Sequence, residues 1–300
     1  MKLIRSQRGN ASLLIAFSLV GLLAIAGLAI DGGMMYSIKS HLKKTANAAA
    51  LSGAQELTNS EQAVQNVVAR ILQEHGESLS LQGLQIQNGQ KVTVSLQKVV
   101  QPPFMRIFGF HSIPIEARST AEILTMARAA GAAPLGINEA IQLEYYKRYS
   151  LKVDTTGVES GVFGVLALGG TGANTYEDNL KNGFSGEIRV NDVLPTQTGN
   201  IAGRTRNGVN ERIRNCPYQK GETHHRDCPR VILIPVYKPH NQDSSQMKEI
   251  QVTGFAYFYI LEQMSNNDTS IVGMFIRRAG VGFVDPTVIN KGAFSIRLTE

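Results

Sequence analysis

Residues 11–30 read ASLLIAFSLVGLLAIAGLAI, twenty positions without a charge, a proline or an amide side chain. Twenty helical residues at about 1.5 Å each extend for about 30 Å, the thickness of the hydrocarbon core of a bilayer. Lys2, Arg5 and Arg8 precede the stretch, and a basic flank favours a cytoplasmic N-terminus. The sequence therefore predicts a cytoplasmic basic tail at 1–10, a transmembrane helix at 11–30 and an extracytoplasmic remainder.

Two other interpretations of this stretch remain open. A cleaved signal peptide has the same basic start, and Ala24-Ile25-Ala26 before Gly27 is compatible with a cleavage site. A buried core helix is the second alternative. The retained anchor is favoured because the apolar run is longer than the usual apolar region of a signal peptide and because the helical pattern continues beyond it.

From Ile30 onward, the sequence continues a helical pattern in which apolar or small side chains recur every three or four positions. These residues are Ile30, Met34, Ile38, Leu42, Ala46, Ala49, Gly53 and Leu57. No proline interrupts residues 11–57, so the sequence predicts one helix of 47 residues, about 70 Å long. A break at Gly32-Gly33 is the alternative.

Small residues along this helix would let partner helices approach closely. The predicted helix-packing positions are Gly21, Ala24, Gly27, Ala46, Ala50 and Gly53.

Three segments of the helix carry a resemblance to a known family: RGNA at 8–11, GLAID at 27–31 and TANAAALSGA at 45–54. Together they resemble the N-terminal segment of the TadE/TadG-like Flp pilus-assembly proteins. The resemblance implies a membrane-anchored structural component of a Flp/Tad-type pilus or its secretion apparatus. It also implies contacts with other pilus-assembly proteins or pilin subunits, and a place in the bacterial inner membrane with the bulk of the chain periplasmic.

The start of the chain departs from the pattern of processed pilins. Those proteins carry Glu at the fifth position after the cleavage-site glycine, whereas the fifth residue after Gly9 is Leu14. This difference favours an unprocessed, TadG-like anchored protein over the alternative of a minor pilin or tip adhesin released into the fibre.

Some longer TadG-like proteins have a von Willebrand A domain, but Asp243-Ser244-Ser245 has the wrong spacing for its metal motif, so none is expected.

The next region is predicted to form a small α/β, pilin-like domain over residues 31–125. Ser60 is a good N-cap for a short helix that continues to about His75. Asn88-Gly89 between two alternating runs predicts a β-hairpin, and residues 113–124 form another strand candidate.

Residues 126–134 are small and end in a proline, which suggests a domain boundary. Residues 133–300 should then form a β-rich extracytoplasmic domain, and much of this region loosely resembles the C-terminal portion of Tad-like proteins. The fold class is therefore α+β. Strands are predicted at 149–153, 161–168, 187–190, 231–237, 250–261 and 271–277, and helices at 137–143, 173–180 and 205–214.

Cys216 and Cys228 are the two cysteines of the chain, and in an extracytoplasmic compartment a disulfide between them is the default expectation. A metal site with His224 and His225 and a pair of free thiols are the alternatives, although the ligand spacing is not that of a zinc finger. No catalytic, cofactor or metal motif is recognised, so we expect no enzyme and no small-molecule substrate. A membrane-anchored envelope enzyme or binding protein is the remaining alternative.

The formal net charge is +6, from 30 basic and 24 acidic residues, and neither half of the chain is strongly basic. Nucleic acid is therefore not expected as a partner. A local basic cluster on the predicted helix at 205–214 would either contact an acidic partner or form a solvated surface. It consists of Arg204, Arg206, Arg212 and Arg214.

Overall fold

The computed structural model describes residues 8–154, 162–197, 201–242 and 247–299, and within these ranges it has four α-helices and fourteen strands. Most of the predicted cytoplasmic tail and the segment Asp243-Ser244-Ser245 lie outside the described residues. The helices are α1 (Arg8–Ala54), α2 (Glu61–Glu74), α3 (Ala173–Asn182) and α4 (Ala202–Arg214). The strands are β1 (Leu81–Gln87), β2 (Lys91–Val100), β3 (Ile113–Ala129), β4 (Leu135–Asn138), β5 (Arg148–Asp154), β6 (Val162–Val165), β7 (Ile188–Arg189), β8 (Val193–Pro195), β9 (Val231–Gln242), β10 (Met247–Ile260), β11 (Ser270–Ile276), β12 (Arg278–Gly280), β13 (Phe283–Val284) and β14 (Ala293–Leu298). The predicted α+β class, with a long apolar helix followed by a β-rich region, is confirmed.

Helix α1 is continuous over 47 residues and passes through Gly32-Gly33 without a break. Its surroundings change along its length. The apolar span, residues 11–30, is exposed at almost every position, whereas Leu42, Ala46 and Ala49 have no exposed surface. One helix therefore provides both an unpartnered apolar rod and a core element of a folded domain.

The domain around the second half of α1 is built from α2 and the first sheet, whose strand order is β1-β2-β3-β14-β12. Ser60 accepts a hydrogen bond at its Oγ from the Ala63 N–H at 3.2 Å, as expected for the N-cap of α2. Gly89 has a φ of 70° in the β1–β2 turn, a left-handed conformation that glycine adopts without strain. The predicted helix and hairpin are both confirmed.

The second sheet closes into a barrel. Its strand order is β11-β5-β6-β4-β9-β10-β8, and an additional antiparallel pairing between β10 and β11 joins six of these strands in a ring. Phe163, Phe258 and Phe275 fill its core with edge-to-face contacts, at centroid distances of 5.2 and 5.1 Å. Helices α3 and α4 pack on each other and add Tyr176 and Val209 to the same core.

The boundary between the two regions differs from the sequence expectation. Residues 126–134 were expected to separate the domains, but β3 continues to Ala129 because its last residues pair with β7 and β13. Ala132 and Ala133 then enter the core fully buried. Strand β14 returns to pair with β3, so residues 293–298 belong to the first sheet rather than to the distal region at 133–300.

One predicted helix is wrong. Residues 137–143 were expected to be helical, whereas residues 135–138 form β4, which pairs with β6 and β9. The partner strand β9 lies about a hundred residues further along the chain, and no local pattern signals this pairing. The predicted helices that correspond to α3 and α4 are confirmed.

Gly53 provides a test of how tightly α1 is packed into its domain. A Cβ atom at this position would lie 2.8 Å from Cγ2 of Val68, whereas a Cβ at Gly33 would meet nothing within 4 Å. We expect Gly53→Ala to lower the free energy of unfolding by about 1 to 2 kcal/mol through overpacking. Gly33→Ala, on the same helix, should be neutral or slightly stabilising because alanine is the better helix former. Urea unfolding of the two variants in detergent micelles measures both, and equal stabilities would contradict the packing described.

Candidate anchoring and protein-contact surfaces

The apolar span is the largest exposed apolar surface among the described residues. Eleven large apolar side chains project from it with roughly half or more of their area exposed, from Leu13 to Ile30. Within the described chain, only α1 is long and apolar enough to cross a bilayer. In water this surface would be strongly unfavourable, and it suits the hydrocarbon core of a membrane.

Asp31 joins the end of the span to the folded domain. It is fully buried, and its Oδ2 accepts hydrogen bonds from the backbone N–H groups of Phe104 and Met105 at 2.9 and 2.6 Å. These N–H groups begin the short 3-10 turn Met105–Phe108, so the carboxylate caps that turn from a different element. The connection between β2 and β3 is therefore tied to α1 at the point where the span ends.

Four of the six predicted helix-packing residues are covered by their own chain. Ala46 and Ala50 are fully buried in the domain core, Gly53 lies against α2, and the Phe104 ring covers Gly27. Gly21 has nothing within 4 Å of an added Cβ, and Ala24 is half-buried. At four of the six positions, the small residue therefore allows close packing against other parts of the same chain. Gly21 is the position that no other part of the described chain covers.

A second buried carboxylate, that of Glu77, links α1 to the first sheet. Oε1 of Glu77 lies 2.7 Å from Nζ of Lys98 on β2 and 3.5 Å from Nε2 of His41 on α1. Burial raises the pKa of Glu77, but hydrogen bonds from Lys98 and Ser80 outweigh this effect and hold the pKa below its ordinary value. The carboxylate is therefore ionised at neutral pH, and it links the helix to the sheet.

The two histidines considered as metal ligands take part in a packed loop. The ring of His225 stacks on Tyr218 at a centroid distance of 3.6 Å, and its Nε2 lies 3.1 Å from Oε2 of Glu222. The Tyr218 hydroxyl donates to the Asp227 carboxylate at 2.6 Å, which lowers the pKa of Asp227. Among the described residues, no group of three or more His, Cys, Asp or Glu side chains has an arrangement that could hold a metal ion.

The two cysteines lie side by side as free thiols, Cys228 buried and Cys216 half-buried. Burial, together with the hydrogen bond with Cys216, raises the pKa of Cys228 to about 11. A protonated thiol is a poor nucleophile, so this geometry suits a structural rather than a catalytic role.

The basic cluster on α4 is largely engaged within the chain. Arg204 lies 2.7 Å from the Glu177 carboxylate, and the buried Arg212 donates to the carbonyls of Leu180 and Pro229. Burial lowers the pKa of Arg212 to about 10. Arg206 donates to the Asp268 carbonyl at 3.4 Å, and Arg214 is exposed. These contacts hold α4 against α3 and the barrel and leave little of the cluster to attract an acidic partner.

A polar cleft lies between the end of α1 and the loop at 223–226. Arg226 approaches the Glu56 carboxylate at 3.8 Å, and Arg278 donates to the carbonyls of Thr223 and His225 at 3.1 and 3.0 Å. Burial lowers the pKa values of both arginines. The cavity between them measures about 20 Å³, which is the size of a water site and too small for a substrate.

Residues 9–56 match the family model described as putative Flp pilus-assembly TadE/G-like. The match covers α1 almost end to end, from the apolar span to the buried half, and it bears out the resemblance found in the sequence. It supports involvement in Flp pilus assembly and favours a structural over an enzymatic role. No curated protein and no solved structure matches the chain.

The contact between Asp31 and the β2–β3 connection was not anticipated from the sequence. Asp31 belongs to the GLAID segment that carried the family resemblance, but its hydrogen-bond donors lie more than seventy residues away. The sequence offers one signal of such a contact: Asp31 directly follows the apolar run at 11–30, and the helical pattern continues beyond it.

We expect Asp31→Ala to release the β2–β3 connection from α1. Two hydrogen bonds to a carboxylate are lost, each contributing about 1.5 kcal/mol or more, so amide exchange at Phe104 and Met105 should accelerate at least about tenfold. Ser60→Ala is the matched control, since it removes the equivalent bond to Ala63 and should leave Phe104 and Met105 unchanged. Unaltered exchange at both amides in Asp31→Ala would contradict the capping role.

We propose that Cys216 and Cys228 pair in the oxidising envelope, where a bridge closing 13 residues contributes about 3 kcal/mol to the free energy of unfolding. Protein isolated with thiols blocked should have the mass of the chain less two hydrogens. Cys216→Ser and Cys228→Ser should each lose the stabilisation, and reductant should bring the wild type to the same level. Complete alkylation of the isolated protein without reductant would overturn the pairing.

Proposed function

We propose that this chain is a single-pass, membrane-anchored structural component of a Flp/Tad-type pilus or its assembly and secretion apparatus. The span crosses the bacterial inner membrane with the basic N-terminus in the cytoplasm, and the α/β domain and barrel lie in the periplasm. The chain acts by contacting other pilus-assembly proteins or pilin subunits.

The observation that carries the proposal is the coincidence of three features on α1. The TadE/G-like match, the exposed apolar span and the buried Ala-rich half all fall on one unbroken helix. Since that helix is also the core of the first domain, whatever holds the span in the membrane also fixes the position of the folded region. This arrangement suits a scaffold that presents a rigid periplasmic surface at a defined distance from the bilayer.

Fewer residues are available to contact a partner than the sequence predicted, because four of the six predicted helix-packing residues pack within the chain. Among the six predicted helix-packing positions, Gly21 is the one that remains open for a partner helix within the membrane. A partner in the periplasm would meet the outer surfaces of the barrel and of the first sheet.

The proposal is tested by deleting the gene and complementing it in trans with a tagged copy. We expect loss of fibres from the sheared fraction in the deletion, their return on complementation, and a full-length tagged protein in the membrane fraction. A matched variant replaces residues 1–30 with a cleavable signal peptide, which delivers the same folded region to the periplasm without an anchor. It should fail to restore fibres although it is exported.

The outcomes separate this proposal from its alternatives. A shortened tagged protein within sheared fibres would favour a minor pilin or tip adhesin. Intact fibres in the deletion strain would contradict a role in pilus assembly and turn attention to an envelope enzyme or binding protein.

A further inference from the structure

The connection between β2 and β3 carries an exposed apolar cluster that the anchoring role does not explain. The cluster consists of Phe104, Ile107, Phe108 and Phe110, with exposed fractions of 39%, 81%, 57% and 54%. Outside the span, no other stretch of seven residues in the described chain exposes four large apolar side chains. Such a concentration indicates a contact with an apolar surface rather than ordinary surface composition.

The position of the cluster along α1 is set by two contacts. The Phe104 ring packs on Gly27, where an added Cβ would lie 2.7 Å from the ring, and Asp31 holds the Phe104 and Met105 amides. Gly27 lies three residues inside the end of the span, about 5 Å along the helix axis from Ile30. The cluster therefore stands beside the last turn of the span, at the depth where the outer face of a bilayer would be.

Most backbone N–H groups of the cluster already donate hydrogen bonds within the protein, as an apolar environment requires. The N–H groups of Ile107, Gly109 and Phe110 donate to carbonyls within the same turn, and those of Phe104 and Met105 donate to Asp31. Five of the seven amides from 104 to 110 are thus satisfied within the protein, which removes most of the penalty for leaving water.

Polar groups around the cluster match the headgroup region of a bilayer. Arg106 and His111 are exposed within the same connection, and Tyr36 and Lys39 project from α1 one to two turns above Asp31. Long basic side chains reach phosphates from an apolar position, and tyrosine is typical of the membrane interface.

We propose that residues 104–110 insert into the outer face of the lipid bilayer beside the span, as a second membrane contact of the same chain. The occupant of this surface is lipid, because the cluster is continuous with the span and lies at its depth. The inference rests on the anchoring role proposed above. With two separated contacts, the chain resists tilting and rotation about α1, so the barrel keeps one orientation on the membrane.

The chain has no tryptophan, so a single introduced tryptophan reports its own surroundings. Full-length Phe108→Trp is reconstituted in vesicles of phosphatidylethanolamine and phosphatidylglycerol, with and without lipids brominated near the glycerol end of their chains. Phe17→Trp within the span is the control for membrane insertion. Val281→Trp, which is 95% exposed and lies near the far end of β3, is the control for water.

We expect a blue-shifted emission for Phe108→Trp and at least twofold quenching by the brominated lipids, with protection from aqueous iodide. The fluorescence of Val281→Trp should be quenched by iodide and unchanged by the brominated lipids. If Phe17→Trp is quenched by bromine and Phe108→Trp by iodide alone, the cluster faces water or a partner protein and the inference fails while the anchor stands. If Phe17→Trp also escapes the bromine, the anchor itself is contradicted.

Discussion

Helix α1 passes from an apolar to a folded environment along one uninterrupted backbone hydrogen-bond ladder. In a bilayer, every backbone polar group of the span must be satisfied within the helix. The same ladder continues into a domain where Leu42, Ala46 and Ala49 are fully buried against α2 and the first sheet. Because no flexible joint separates the two halves, the orientation of the folded region follows from the orientation of the span.

The rest of the structure extends this rigid coupling away from the membrane. Strand β3 runs for 17 residues, pairing with β2 near α1 and with β7 and β13 at its far end. Strand β14 brings the last part of the chain back to β3, so the barrel is inserted between elements of the first sheet and is held by both ends. Near the end of the span, the buried carboxylate of Asp31 on α1 holds the β2–β3 connection, and that of Glu77 contacts both His41 on α1 and Lys98 on β2.

Local sequence patterns predicted the elements that depend on local interactions. The long helix, the Ser60-capped α2 and the Asn88-Gly89 hairpin each follow from side chains within a few residues of one another. Strand β4 and the pairing of β14 with β3 could not be predicted in this way, because their partners are distant in the chain and short strands carry little pattern. The capping role of Asp31 could not be predicted for the same reason, because its hydrogen-bond donors lie more than seventy residues away.

The apolar span and the buried half of α1 form one continuous, rigid helix. Amide hydrogen exchange of the full-length protein in lipid nanodiscs, resolved along residues 25–54, tests it most directly. We predict slow exchange throughout, with no loss of protection at Gly32-Gly33. Fast exchange confined to residues 31–36 would reveal a hinge between span and domain, and α1 would then not hold the folded region rigidly.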